Sequence, residues 1–424
     1  MPSHERVSFY EDVIRRAQVW SSAASEPLPK NSAPLQNDTK GLSDTLTYSC
    51  EDFVKCLQTQ YQLDDPSVDL PPVACILTFD EAQELAEEPK SPKNRSGFHN
   101  LGSVLKSISS YAVFSVFLST NSNLWAIAPP IHSHPSLHKV PHPAQLHPPI
   151  TELPFDLFAR GLYTKLCQSN ECSLSATCTV PVMACFGRTM WYSLHDQRQT
   201  SVINLAKAKL NPKKDEDEGA HLACLGIRIG LDFDASRETG RRKELQLVES
   251  HMRIVFAVPE HHEFMRTGTP SEPILAEAAA QLLNQSRSSL ENLAPKVLCQ
   301  AFEHGFLARG ERGEMVGCLL WTLAHDKVLR GPQVGAVHFH RPISVIEFLR
   351  SLFHENHWPT ILNARPVGNQ EGPPLSDAFK EAYIHFSHFM DAGQHHVIKL
   401  QQVYRLLLRG AALNCRRNQP GIDF

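Results

Sequence analysis

Two adjacent carboxylates, Asp80 and Glu81, close the apolar run Val73-Ala74-Cys75-Ile76-Leu77-Thr78-Phe79. At the carboxyl end of a strand such a pair suits phosphoryl chemistry. The first acid holds Mg²⁺ and the second orients or deprotonates the attacking water, as in the Walker B element of P-loop nucleotide hydrolases. The bland alternative is an acid that caps the following helix, here opening with Ala82-Gln83-Glu84. A second apolar and aromatic run, Tyr111 to Leu118, ends in Ser119-Thr120-Asn121. Polar groups there sit where a sensor residue meets a γ-phosphate, and ligands of open parallel sheets gather at carboxyl strand ends. Thr120 and Asn121 are therefore sensor-like candidates. The complementary phosphate loop, G-x-x-x-x-G-K-[ST], occurs nowhere in the 424 residues, and neither does a Gly-Lys dipeptide. Without that loop Asp80 has no phosphate-bound Mg²⁺ to hold, and Glu81 has no aligned water.

Arg188, in Phe186-Gly187-Arg188-Thr189-Met190-Trp191, is a further candidate. A glycine frees the backbone and the guanidinium reaches for phosphate as a sensor or finger. The alternative is an arginine at the core edge stacking on Trp191. Five histidines, His132, His134, His138, His142 and His147, are interleaved with prolines. Their irregular spacing lacks the rigid scaffold that a preformed metal site needs, which leaves a surface loop prone to adventitious Ni²⁺ or Zn²⁺ capture. His251, His261, His262, His304, His325, His338 and His340 form no H-E-x-x-H arrangement and read as helix-surface and loop residues. Eleven cysteines include no C-x-x-C pair, and Cys167, Cys172 and Cys178 fit zinc poorly, so they read as reduced thiols. Arg237, Arg241, Arg242 and Lys243, followed by Glu244, read as the solvated face of a helix.

The elements that must position these groups follow from hydrophobic spacing. Leu101, Val104, Leu105 and Ile108 predict a helix over Asn100–Ser110, between the strand ending at Asp80 and the strand over Tyr111–Leu118. Strand, helix, strand in this order is what a parallel pair requires, and the continuous apolar character suits a sheet covered on both faces. Farther along, helices are expected over Arg237–Val258, Glu272–Asn284, Leu290–Leu307, Glu314–Leu329, Ser344–Phe353, Ser376–Met390 and Val397–Ala412. Ser271, Ser344 and Ser376 offer starts, while Gly310, Gly331 and Gly410 offer stops. The expected fold class is α/β followed by mainly α: an incomplete P-loop-type parallel sheet region joined to a helical domain. Expected boundaries are a flexible segment over 1–44, an α/β region over 45–160, a mixed, mostly helical connection over 161–235 and a helical domain over 236–424.

A net charge of −4 gives no electrostatic reason for nucleic-acid binding. No segment reaches the ~18 apolar residues of a membrane span, and Met1 to Tyr10 has no secretory apolar core. Cytoplasm or nucleus is the expected location.

The ordered succession of Phe79-Asp80-Glu81-Ala82, Phe114 to Thr120, Pro148 to Asp156, Phe186-Gly187-Arg188, Ser250-His251-Met252-Arg253, Pro270 to Ala280 and Arg309 to Glu314 resembles a family of basidiomycete-type fungal proteins. The resemblance runs from about Val73 to the end of the chain. It implies a P-loop NTPase region, with ATP and Mg²⁺ as cofactors in a complete member. In such members a Walker A loop precedes the Walker B strand, so this chain looks like the middle of a longer architecture. The resulting expectation is a degenerate or truncated P-loop NTPase-like protein, with Asp80 and Glu81 as relict Walker B acids and no cofactor held by this chain alone. Asp80 would take Mg²⁺ only where nucleotide binds. The alternative is a non-enzymatic helical scaffold for an unknown protein partner.

Overall fold

The computed structural model describes residues 47–55, 73, 75–86, 96–108, 110–111, 113–118, 150–151, 154–168, 173–197, 201–212, 217–259, 265–285, 290–308, 312–331, 338–368, 370–391 and 400–414. Thr120, Asn121, the histidines from 132 to 147, and His261 and His262 lie outside these residues. The chain divides into two compact units, Met1–Ser119 and Thr120–Phe424.

In the first unit β1 (Cys75–Phe79) and β2 (Val113–Phe117) pair in parallel, Cys75 opposite Val113 through Phe79 opposite Phe117. A 3₁₀ turn (Ala82–Ala86) and helix α1 (Gly97–Ser107) make the crossover that parallel strands need. One face of the pair is closed by aromatic packing: Phe79 stacks on Phe117 at 4.9 Å, and Phe98 from α1 meets Phe117 edge-on at 5.1 Å. Among the described residues the other face is open, since the register partners Ile76 and Phe114 are both exposed. The expectation of a sheet covered on both sides is thereby corrected. The single crossover helix supplies one layer, and a continuous apolar run does not by itself recruit a second.

The second unit is mainly helical. Its helices are α2 (Ala159–Gln168), α3 (Leu174–Thr177), α4 (Val180–Met183), α5 (Thr189–Asp196), α6 (Val202–Leu210), α7 (Glu218–Ile229) and α8 (Glu238–Ser250). After the antiparallel pair β3 (Ile254–Ala257) and β4 (Arg266–Gly268) come α9 (Pro273–Gln285), α10 (Leu290–Glu303) and α11 (Arg312–Leu329). The chain continues with β5 (Ile343–Ser344), α12 (Val345–Leu352), α13 (Trp358–Leu362), α14 (Leu375–Ala378), β6 (Tyr383–Ile384), β7 (His388–Asp391), α15 (Leu400–Arg409) and β8 (Ala411–Asn414).

Helices α7 and α9 are the central layer, with nearly every residue of α7 buried. Ala276, Ala278, Ala279 and Ala280 give α9 a small-residue surface on which α6 and α7 lie. Around them Leu222, Leu225, Ile229, Ile274, Leu275, Leu283 and Leu290 are almost completely excluded from water. The same core takes in Met183, Trp191 and Val202, so residues of the expected connection over 161–235 pack together with those of 236–424.

Three helix expectations are corrected. The helix expected over Arg237–Val258 ends at Ser250, because the β-branched run Ile254-Val255 pairs with β4. The one expected over Ser376–Met390 is only the short α14, followed by β6 and β7, and Ser376 lies inside it behind the cap Pro374. The last, expected to reach Ala412, stops at Arg409, where Gly410 takes φ 63° before β8 pairs in parallel with β7. Ser344 caps as expected: its Oγ accepts from Ile346 N–H.

Candidate functional site

Asp80 stands exposed at the carboxyl end of β1, as expected from its place in the sequence. Its Oδ1 accepts the N–H of Glu81 at 2.9 Å, and Glu81 adopts the left-handed φ of 51°. Ala82, fully buried, ties the turn to the neighbouring strand by donating to Leu118 C=O at 2.8 Å. One oxygen of Asp80 thus shapes the turn into the 3₁₀ segment, which is the capping role in local form.

The second unit holds a buried polar interior that local sequence pattern did not reveal. Its first node is Arg188 with Glu272. The carboxylate of Glu272 accepts from Arg188 N at 2.6 Å, from Trp191 Nε1 at 2.9 Å and from Arg188 Nη1. Arg188 Nη2 donates to Met252 C=O at 2.7 Å. The guanidinium is committed to the protein's own carboxylate and carbonyl, and Trp191 joins it through Glu272. Gly187 has a steric reason to be glycine: φ is 87°, and a Cβ there would lie 2.2 Å from Glu272 Cγ. Its N–H donates to Asp156 Oδ1 at 2.7 Å, and Asp156 pairs with Arg409. Burial pushes the Glu272 carboxyl up, opposed by Arg188, and burial likewise lowers Arg188, opposed by Glu272. Four separated sequence motifs, around Asp156, Gly187-Arg188, Met252 and Glu272, therefore meet at one ion pair.

The second node is Arg228 with Asp326, both essentially inaccessible. The pair is bidentate, Nη2 to Oδ1 at 2.8 Å and Nη1 to Oδ2 at 3.1 Å, and Asn284 Nδ2 adds a bond to Oδ2 at 2.9 Å. Burial raises the Asp326 carboxyl, but Arg228 and His325 outweigh it and hold it at about 2.

At the third node His388 Nε2 lies 2.7 Å from Ser271 Oγ, and His388 Nδ1 lies 2.9 Å from Ser387 Oγ. Ser387 Oγ donates to Gly410 C=O at 3.1 Å, so its lone pair is left to accept from Nδ1–H, and Nε2 accepts from Ser271. The layout is that of a serine activated by an oriented imidazole. Burial first, then Arg409, Arg228 and His385, pushes His388 down to about 3, which favours the neutral imidazole. A base useful near neutrality needs a value near the working pH. Similarly, Cys178 Sγ lies 3.6 Å from both ring nitrogens of His385. Burial raises that thiol and lowers His385 to about 4, which disfavours a thiolate–imidazolium pair.

Finally, Glu277 of α9, wholly buried, faces His338 and His340. His251, His325 and His340 are buried, which corrects their reading as surface histidines. The readable signal was a charged or imidazole group inside an apolar run, such as Arg228 in Leu225-Gly226-Ile227-Arg228-Ile229 and Glu277 in Leu275-Ala276-Glu277-Ala278. The basic face of α8 behaves as expected, with Arg237 and Arg242 exposed, while Glu244 turns inward to Arg253. No described helix is long and apolar enough to cross a membrane.

The profile of a domain of unknown function, DUF8736, matches residues 211–424, just over half of the chain. The chain belongs to that family. Neither a curated protein nor a solved structure matches it.

Proposed function

For a chain of the DUF8736 family we propose a degenerate P-loop NTPase-like role, in which this chain alone does not hydrolyse ATP. The observation that carries the reading is the parallel pair β1–β2, with Asp80 and Glu81 at its carboxyl end. That is where a Walker B acid would sit, and the crossover through α1 has the matching connectivity. Two features of the chain oppose hydrolysis. These residues contain no phosphate loop, and Asp80 Oδ1 is occupied by the N–H of its own neighbour. Arg188, the proposed sensor, is held by Glu272 and Met252. Isothermal titration of the purified chain with Mg-ATP tests the reading. We expect no micromolar binding and no phosphate release, and no change with Asp80→Ala. Micromolar binding that Asp80→Ala removes would overturn it.

A second reading, a protein-interaction scaffold, is favoured by Val316 and Leu320, which are one turn apart on α11 and both about half exposed. Such an apolar row on a solvent face suits contact with another protein.

A further inference from the structure

We propose that Glu277, His338 and His340 bind a divalent transition-metal ion of the zinc type. Their ligand atoms lie within 4.8 Å of one another. His340 Nδ1 is 2.9 Å from Glu277 Oε2, and His338 Nδ1 is 3.7 Å from Oε1, so the two imidazoles flank the two carboxylate oxygens. A tetrahedral ion with ligands at about 2.0–2.2 Å needs neighbouring ligand atoms about 3.3–3.6 Å apart. The observed separations of 2.9 and 3.7 Å bracket that spacing, and the His338 side chain, 46% exposed, has room to adjust.

Three independent features distinguish the cluster from an ordinary ion pair. The carboxylate is held on both oxygens before any ligand arrives: Gln281 Nε2 donates to Oε1 at 2.7 Å and Phe339 N–H donates to Oε2 at 2.9 Å. Such outer bonds orient metal ligands and fix their geometry. Next, His340 is only 6% exposed and places its Nδ1 2.9 Å from Oε2, so a buried imidazole nitrogen and a carboxylate oxygen face each other. Imidazole nitrogen and carboxylate oxygen are both ordinary ligands of a zinc-type cation. Lastly, Phe339 buries its ring in the core between the two histidines, which anchors the turn that carries them. The donor set decides the class of ion. Two imidazoles and one carboxylate suit zinc and its first-row neighbours, whereas Mg²⁺ and Ca²⁺ prefer oxygen. Three protein ligands with a half-exposed His338 leave a coordination position for water, as in open zinc sites. The inference is independent of the nucleotide reading, because every residue it uses belongs to the helical unit.

The test is a zinc titration of the full chain against a chromophoric chelator. The five histidines from His132 to His147 are replaced by glutamine in every sample, so that they do not compete. We expect a single high-affinity equivalent, a cobalt spectrum of low-symmetry N/O coordination, and a rise in melting temperature with zinc. His338→Gln, at a half-exposed position, leaves the fold intact and weakens binding by at least about tenfold. His340→Gln removes the equivalent. Zinc affinity and stoichiometry unchanged in His338→Gln, or no binding below about 100 μM in the parent, a level far weaker than structural sites of this metal reach, overturns the proposal.

Discussion

At the scale of single residues, the helical unit is organised by charges that the core cannot leave unpaired. Arg228 and Asp326 are 98 residues apart in sequence and completely buried together. Replacing one partner strands the other charge, so Asp326→Asn should cost about 3–5 kcal/mol, while Arg228→Met combined with Asp326→Leu should cost less than either single change. Urea denaturation of the three variants measures both. The same pair sets an acid limb. The Asp326 carboxyl titrates at about 2 when folded, below its ordinary 3.8, so its contribution is complete above about pH 4 and drains away as pH falls toward 2. The native protein should therefore lose stability more steeply than Asp326→Asn across that window. Half of this was open to sequence reasoning. A charge inside the apolar run of α7 announces that a partner exists, but not which carboxylate it is, because the contact is made by the fold and not by spacing.

At the scale of elements, periodicity located α1, α9, α10, α11 and the cap of α12, where an apolar face and a start signal agree. It missed β3, β6, β7 and β8, which are so short that alternation over two to four residues carries too little information. Glycine shows the same limit. Gly240 lies in the first turn of α8, and a Cβ there would stand 2.4 Å from Asp234 C=O and 3.2 Å from Phe306 C=O, both backbone atoms beside the Phe233–Leu307 bridge. In an unobstructed helix Gly→Ala stabilises by about 1 kcal/mol. Gly317, inside α11 with open space around its Cβ position, should show that gain. Gly240→Ala should instead destabilise, because rigid backbone has to move. Melting temperatures of the two variants should shift in opposite directions, and a stabilised Gly240→Ala would mean that α8 does not press on that bridge.

At the scale of the whole molecule, the boundary of the family match and the boundary of the core differ. The match begins at residue 211, but Trp191, Val202, Ile203, Ala206 and Leu210 are buried in the same core as α7 and α9. Helix α6 lies along α9, so a fragment of residues 211–424 would expose the alanine face of α9 to water. It would also strip Glu272 of Arg188 and Trp191, leaving its carboxylate without its cation. Trp191, Val202, Ile203 and Leu210 together contribute about 6–12 kcal/mol of burial, at about 1.5–3 kcal/mol each. That equals the entire stability of an ordinary domain, about 5–15 kcal/mol. A fragment of residues 120–424, which keeps the whole second unit, should unfold cooperatively and retain near-ultraviolet circular dichroism. The fragment 211–424 should show neither. Cooperative unfolding of the shorter piece would mean that α5 and α6 only rest on the core and that Glu272 finds another partner. Its failure would mean that the helical unit of this chain is completed by the segment preceding residue 211, through Arg188 and α6.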